Sequence, residues 1–285
     1  MPAMQNDNTA KDPNNNLIPD GFEGVYTEVL GHRLFSLESI RKQNSIDIVL
    51  LHGAVASRRY MVPSAKILAR DYHCNVFVPE MPGHGRSDKP ARTLSVAEQA
   101  RVMTAWLDKK FVIGDARLKN RPLYLLANSY GCQVASKIAA DNPTLLDGLI
   151  LTDATGDPEI NYLGYMYRLW LDGRYEPKGA PWMMWYDVFD MGVGRVFATT
   201  SKMLEDKILD RLHLIQTRTL LVRGQNDPLS SAAWMARLQD GIKGSIKREI
   251  AGGPHSINSA NANELCAMVA AFIGIGHRDN VQMHV

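Results

Sequence analysis

Leu123-Tyr124-Leu125-Leu126-Ala127-Asn128-Ser129-Tyr130-Gly131-Cys132-Gln133 is the stretch on which the reading of this chain turns. The apolar run from Leu123 to Leu126 predicts a short strand buried on both faces. From Tyr130 to Ala140 the spacing of Val134, Ile138 and Ala139 predicts a helix. Ser129 stands between the two, with a small residue two positions to either side, Ala127 and Gly131. A serine on so sharp a strand-to-helix turn takes a strained backbone, and bulkier neighbours would collide with the adjoining chain. The turn lifts the hydroxyl clear of the sheet and aims the helix N-terminus at whatever the hydroxyl attacks. Taken alone, a serine between small residues also suits an ordinary loop.

Outward from this stretch, strand and helix alternate. Strands are predicted at Val25–Leu30 and Arg33–Ser39, joined by a tight turn at Gly31-His32, and at Ile46–Leu51, Asn75–Pro79, Gly148–Thr152, Thr219–Gly224 and Ile246–Ile250. Helices are predicted from about Met61 to Asp71, from a Ser95 cap to about Lys110 with Glu98 placed for a capping box, at Ala232–Leu238, and at Ala260–Ile273. Short connections between alternating elements imply an α/β fold, with a mostly parallel central sheet of about eight strands flanked by helices. The rhythm breaks at 156–217, a segment rich in aromatic residues and methionine whose second half reads as helix. It is too short and too poorly alternating for a second sheet, so a helical lid inserted above the sheet is expected. The domain then spans 21–274. An Asn-, Asp- and Pro-rich lead-in at 1–20, expected to be disordered, and a frayed tail at 275–285 flank it.

The composition is that of an ordinary soluble globular protein, with 45% apolar and 22% charged residues. A formal charge of +2, evenly spread, argues against nucleic acid or an anionic membrane as partner. No run approaches the ~18 apolar residues of a membrane span, and the N-terminal residues lack the apolar core of a signal peptide. Cys74, Cys132 and Cys266 lie far apart without metal-ligand spacing and are expected to be buried, reduced thiols. A cytoplasmic location follows. There is no G-x-G-x-x-G after a strand and no H-E-x-x-H, so neither cofactor nor metal is expected. A small-molecule substrate is expected, and monomer and homodimer stay equally open.

A serine hydroxyl at its ordinary pKa is a poor nucleophile; it needs a base, and the base needs an orienting group. Five segments bear on this. They are H-G-x-x-x-S at His52–Ser57, P-G-H-G-x-S at Pro82–Ser87, A-N-S-Y-G around Ser129, G-x-x-D at Gly224–Asp227, and Pro254-His255. In order and spacing they resemble the α/β-hydrolase superfamily, from about Gly24 to Ile273, with Ala127 where the usual G-x-S-x-G elbow has glycine. That resemblance implies a Ser-acid-His triad in chain order, each member just after a strand. Ser129 would be the nucleophile, Asp227 the acid and His255 the base, with Asp153, after the neighbouring strand, as reserve acid. Asp157 also suits a plain turn. Of the other histidines, His52 and His84 sit in glycine-flanked loops and read as structural hydrogen-bonders near the site. The oxyanion hole would be the backbone N–H groups of Ala54 and Tyr130.

For the substrate the resemblance is broad. Serine at the elbow argues against the dehalogenases and epoxide hydrolases, which usually carry Asp there. A carboxylic ester hydrolase is the first reading. The elbow A-N-S-Y-G-C also resembles the G-N-S-x-G-G of the meta-cleavage-product C–C hydrolases, although these commonly have Trp after the base, where this chain has Ser256. A ligand receptor that retains the fold is the reading from another class. Trp170, Trp182 and Trp185 in the 156–217 segment are candidates for binding an apolar or aromatic substrate group; they equally suit packing of the lid onto the core.

Overall fold

The computed structural model of the protein describes residues 18–276, apart from 115–117, 119 and 177–179 and the side chains of 180–184. In chain order the first half comprises β1 (Glu23–Val29), β2 (His32–Ser39), β3 (Ile46–Leu51), α1 (Arg58–Asp71), β4 (Cys74–Pro79), α2 (Val96–Leu107), β5 (Leu123–Asn128), α3 (Tyr130–Asp141) and β6 (Gly148–Thr152). There follow α4 (Tyr162–Asp172), α5 (Ala180–Met191), α6 (Val193–Glu205), α7 (Leu209–Leu212), β7 (Thr219–Gly224), α8 (Ala232–Gly241), β8 (Ile246–Ile250), α9 (Ile257–Ala260) and α10 (Ala262–Ile273).

The eight strands form one sheet in the order β1-β2-β4-β3-β5-β6-β7-β8. β1 and β2 pair antiparallel, β2 pairs antiparallel with β4, and all pairs from β4 to β8 are parallel. The inner strands are buried on both faces, as parallel strands covered by helices must be: every residue of β4, β6 and β7 is buried. β8 lies at the edge and exposes Lys247, Arg248 and Glu249, charges that discourage pairing with another chain. One core lies beneath α2, α3 and α8, around Trp106, Val134, Ile138 and Trp234. The other lies beneath α1 and α10, around Met61, Leu68, Leu265 and Val269. All three cysteines are free and buried. Among the described residues no helix is long and apolar enough to cross a membrane.

From β3 the chain crosses to β4 on one side and later returns to β5 on the other. The crevice between the C-terminal ends of β3 and β5 is therefore the topological switch point, where open α/β sheets bind ligands. Leu51 pairs with Ala127 there, so His52-Gly53-Ala54 and Asn128-Ser129 leave the sheet side by side.

Several boundaries differ from the sequence expectation. The first turn is one residue earlier than Gly31-His32: Leu30 and Gly31 both have positive φ (48° and 77°), the backbone a two-residue hairpin turn of right-handed twist requires. α1 begins three residues sooner, because Ser57 caps it and Arg58 is drawn into a buried pair with Glu80 at 2.6 Å. α2 ends at Leu107 and gives way to a wide π turn over Asp108–Val112. Helix in the segment between β6 and β7 is not confined to its second half, since α4 occupies the first. Asn161 starts that helix by accepting from Gly164 N–H at 2.8 Å. The lead-in at 1–17 and the tail from 277 lie outside the described residues.

Candidate active site

Ser129 carries a positive φ (56°, with ψ −123°), a conformation of about 1–3 kcal/mol cost that persists only where the surroundings enforce it. They do so by close packing. A Cβ on Gly131 would stand 2.6 Å from the His52 carbonyl oxygen, so only glycine lets α3 approach the end of β3. Ser129 N–H donates to Thr152 O at 3.0 Å, tying the turn to β6. His255 arrives on the loop after β8, the edge strand. A Cβ on Gly224 would lie 2.3 Å from Pro254 O, so the bare backbone at the end of β7 lets the loop after β8 fold in.

The result is a continuous relay. His255 Nδ1 lies 2.8 Å from Asp227 Oδ2, and His255 Nε2 lies 2.9 Å from Ser129 Oγ. A carboxylate only accepts, so Nδ1 carries the proton and Nε2 is left to accept from the serine hydroxyl. Asp227 is held in turn by the N–H groups of Leu229 (2.7 Å) and Ser230 (3.1 Å), both donating to Oδ1. The structure thus pairs Asp227, not Asp153, with the imidazole. Asp153 stands behind it, its Oδ1 accepting from Gly224 N–H at 2.8 Å. Asp157 is a turn residue, accepting from Glu159 N–H at 3.1 Å and facing Arg237 at 3.4 Å.

His52 and His84 are fully buried beside each other, ring centroids 4.8 Å apart. His52 Nε2 accepts from Met81 N–H at 3.1 Å, and His84 Nε2–H donates to Ala54 O at 2.9 Å. Burial, and then each other's presence, pushes His52 down to about 3; burial lowers His84 too. Both are neutral pins that join the 52–57 and 82–87 loops. His255 differs. Burial alone would lower it, but the Asp227 charge and hydrogen bond, with Asp172 and Asp153 behind, raise it above the ordinary 6.5. Burial raises Asp172 to about 7, and raises Asp153 strongly, helped by the Asp227 charge.

A cleft with about 750 Å³ of empty space, including the solvent at its mouth, opens over Ser129 and His255. Ala54 lines it, whereas the Tyr130 side chain is fully buried in the core beneath and Tyr130 meets the site only as the first residue of α3, directly after Ser129. From the inserted helices the lining comes from Tyr165, Leu169, Asp172 and Glu176. Trp170 and Trp185 do not line it: they are 59% and 52% exposed, packed against Tyr167 and Phe189. The Trp182 side chain lies outside the described residues. Tyr60, Asp172 and Glu176 went unread in the sequence. The only trace of the two carboxylates there is the four-residue spacing of Arg168, Asp172 and Glu176, which any solvated helix face also shows; Tyr60, on α1 and also lining the cleft, leaves none. Among the described residues no cluster of three or more His, Cys, Asp or Glu could hold a metal ion.

The sequence model of the alpha/beta hydrolase family matches residues 48–268. No curated protein matches the sequence. Among solved structures, the chain is similar to Est816, described as an N-acyl homoserine lactone degrading enzyme, with 22% identity and a TM-score of 0.71 over 87% of this chain and 100% of that one. It is similar also to CarC, a serine hydrolase involved in carbazole degradation, with 17% identity and a TM-score of 0.73 over 89% and 99%. A thermophilic esterase from Thermogutta terrifontis has 18% identity and a TM-score of 0.70 over 88% and 98%. At these identities the likeness is one of fold.

Proposed function

Since the chain belongs to the alpha/beta hydrolase family, we propose that it is a serine hydrolase that cleaves a carboxylic ester, or a similar acyl bond, of a small apolar or aromatic substrate. One observation carries the reading: the unbroken relay from Ser129 Oγ through the His255 imidazole to Asp227 at the floor of the cleft. Ser129 Oγ attacks the carbonyl carbon while His255 Nε2 takes its proton. Asp227 holds the tautomer and stabilises the imidazolium. The N–H groups of Ala54 and Tyr130 bind the oxyanion that forms; the first sits beside the elbow, the second at the positive end of α3. The tetrahedral adduct collapses, and the leaving alkoxide takes the proton from Nε2. Water, deprotonated by the same nitrogen, then releases the acid and restores Ser129. The helices between β6 and β7 act as the lid, and Tyr165 and Leu169 offer the acyl or alcohol group an apolar wall.

The test is Ser129→Ala against a p-nitrophenyl ester. Loss of a triad member should lower kcat/KM by about 10³-fold or more. Near-parental turnover by the variant would sink the assignment. A vinylogous diketone turned over faster than any ester would move the reaction to C–C hydrolysis. Labelling of Ser129 by a fluorophosphonate without turnover of any ester would point to a receptor.

A further inference from the structure

The peptide that carries the base is held chiefly from above. His255 N–H donates to Asp172 Oδ1 at 3.0 Å. Ser256 N–H donates to Glu176 Oε1 at 3.1 Å, and the Ser256 hydroxyl donates to Glu176 Oε2. From the sheet side the contacts are longer: Asn128 Nδ2–H to His255 O and Ile257 N–H to Asp153 Oδ2, both 3.4 Å. Arg168, one turn before Asp172, donates to Pro228 O at 3.1 Å, next to Asp227. Arg168, Asp172 and Glu176 are spaced by four along α4 and its continuation, where Glu176 N–H still bonds Asp172 O. One face of one inserted helix therefore grips both the acid loop and the base loop.

We propose that Asp172 and Glu176 are positioning residues for His255, accepting from the backbone of 255–256 so that the inserted helix, and not the sheet alone, sets the distance between imidazole and Ser129. The proposal rests on His255 being the base. A buried carboxylate such as Asp172 is costly unless bonded, and neither it nor the half-buried Glu176 meets a lysine or arginine in a short ion pair among the described contacts; peptide N–H groups and a hydroxyl take that place. Both carboxylates also line the cleft, so a substrate that displaced α4 would release the base with it.

A misplacement of ~1 Å costs about 10²-fold in rate, which sets the scale of the test. Parent, Asp172→Ala, Asp172→Asn, Glu176→Ala and Glu176→Gln are assayed with p-nitrophenyl acetate across pH, with thermal melting as a check on folding. The alanine variants should lose about 10- to 10²-fold in kcat with little change in KM. Asn and Gln keep an acceptor oxygen and should restore most of it. The groups facing His255 are Asp227, Asp172 and Asp153, and those facing Asp172 include Glu176, Tyr60 and Tyr165. Asp172→Asn removes one negative neighbour of the imidazole, so the acid limb of kcat should move to lower pH. Alanine variants with parental kcat, or Asn and Gln variants no better than alanine, overturn the proposal. Fluorophosphonate labelling of the parent separates the two failures: neither labelling nor turnover would mean the hydrolase reading itself is wrong. Structures of Asp172→Ala and Glu176→Ala, which need no turnover, then decide the positioning: the His255 imidazole should lie farther from Ser129 Oγ than the parental 2.9 Å, and an unmoved imidazole overturns the idea.

Discussion

His255 is crowded by carboxylates on three sides, from the β7–α8 loop, from α4 and from the end of β6. The sign of their effect is fixed: each favours the imidazolium, while the proposed mechanism needs the neutral ring. We therefore expect turnover of a neutral ester to rise along an acid limb centred above 6.5, the ordinary histidine value. A limb at or below that value in the kcat/KM profile would contradict the electrostatics described. Gly131 gives a second prediction. A methyl there would meet the His52 and Leu51 carbonyl oxygens at 2.6 and 2.9 Å, both backbone and unable to swing aside. Gly131→Ala should cost about 1–3 kcal/mol by urea unfolding, and should spoil the elbow. A variant with parental stability and turnover would show that α3 can retreat. At this scale Ser129 and His255 could be singled out from the chain, with Asp227 ahead of Asp153 as the acid, because motif order and strand ends restrict where they can stand. The choice between Asp227 and Asp153 could not be closed, since both follow strands and only the direction of the imidazole separates them.

Among the elements, those governed by local chemistry were legible. Ser95 Oγ accepts from Glu98 N–H at 3.3 Å while Glu98 Oε2 accepts from Ser95 N–H at 2.9 Å, the reciprocal cap that the spacing foretold. Ser95→Ala should lower stability by about 1 kcal/mol, read as a shift in denaturation midpoint at unchanged slope; no shift would mean that α2 is held by packing alone. The strands at 46–51, 148–152, 219–224 and 246–250 have the bounds expected: the first three are mostly apolar runs between turn residues, and the last, Ile-Lys-Arg-Glu-Ile, is bounded by Gly244-Ser245 and Gly252-Gly253. What escaped was set at a distance. α1 starts at Arg58 because of Glu80, 22 residues on. α4 forms in an aromatic-rich stretch of poor helix propensity because Tyr165 and Asp172 are buried against the body of the molecule.

Taken whole, the molecule joins a sheet with two cores to a set of helices that bury little of themselves. α4 buries Tyr165 and Asp172, and α6 buries Thr199, Thr200 and Met203, while Leu163, Tyr167, Phe189 and Phe197 face outward. Few buried apolar contacts mean low local stability. Amide exchange should therefore be faster in α4 to α6 than in β3 and β5 to β7 by a wide margin; equal protection would mean that the insertion unfolds only with the sheet. By itself the sequence determined the alternating α/β plan, the strand-to-helix turn at Ser129, and the order in which Ser129, Asp227 and His255 follow their strands, since periodicity and turn chemistry act between near neighbours. The tertiary structure alone decided which carboxylate faces the imidazole, that Trp170 and Trp185 do not line the cleft, and that Asp172 and Glu176 accept from His255 and Ser256. The Asp172 and Glu176 contacts join residues 83 and 80 positions apart and the Asp227 contact residues 28 apart; such distances depend on how the chain closes in space and leave no periodic mark along it.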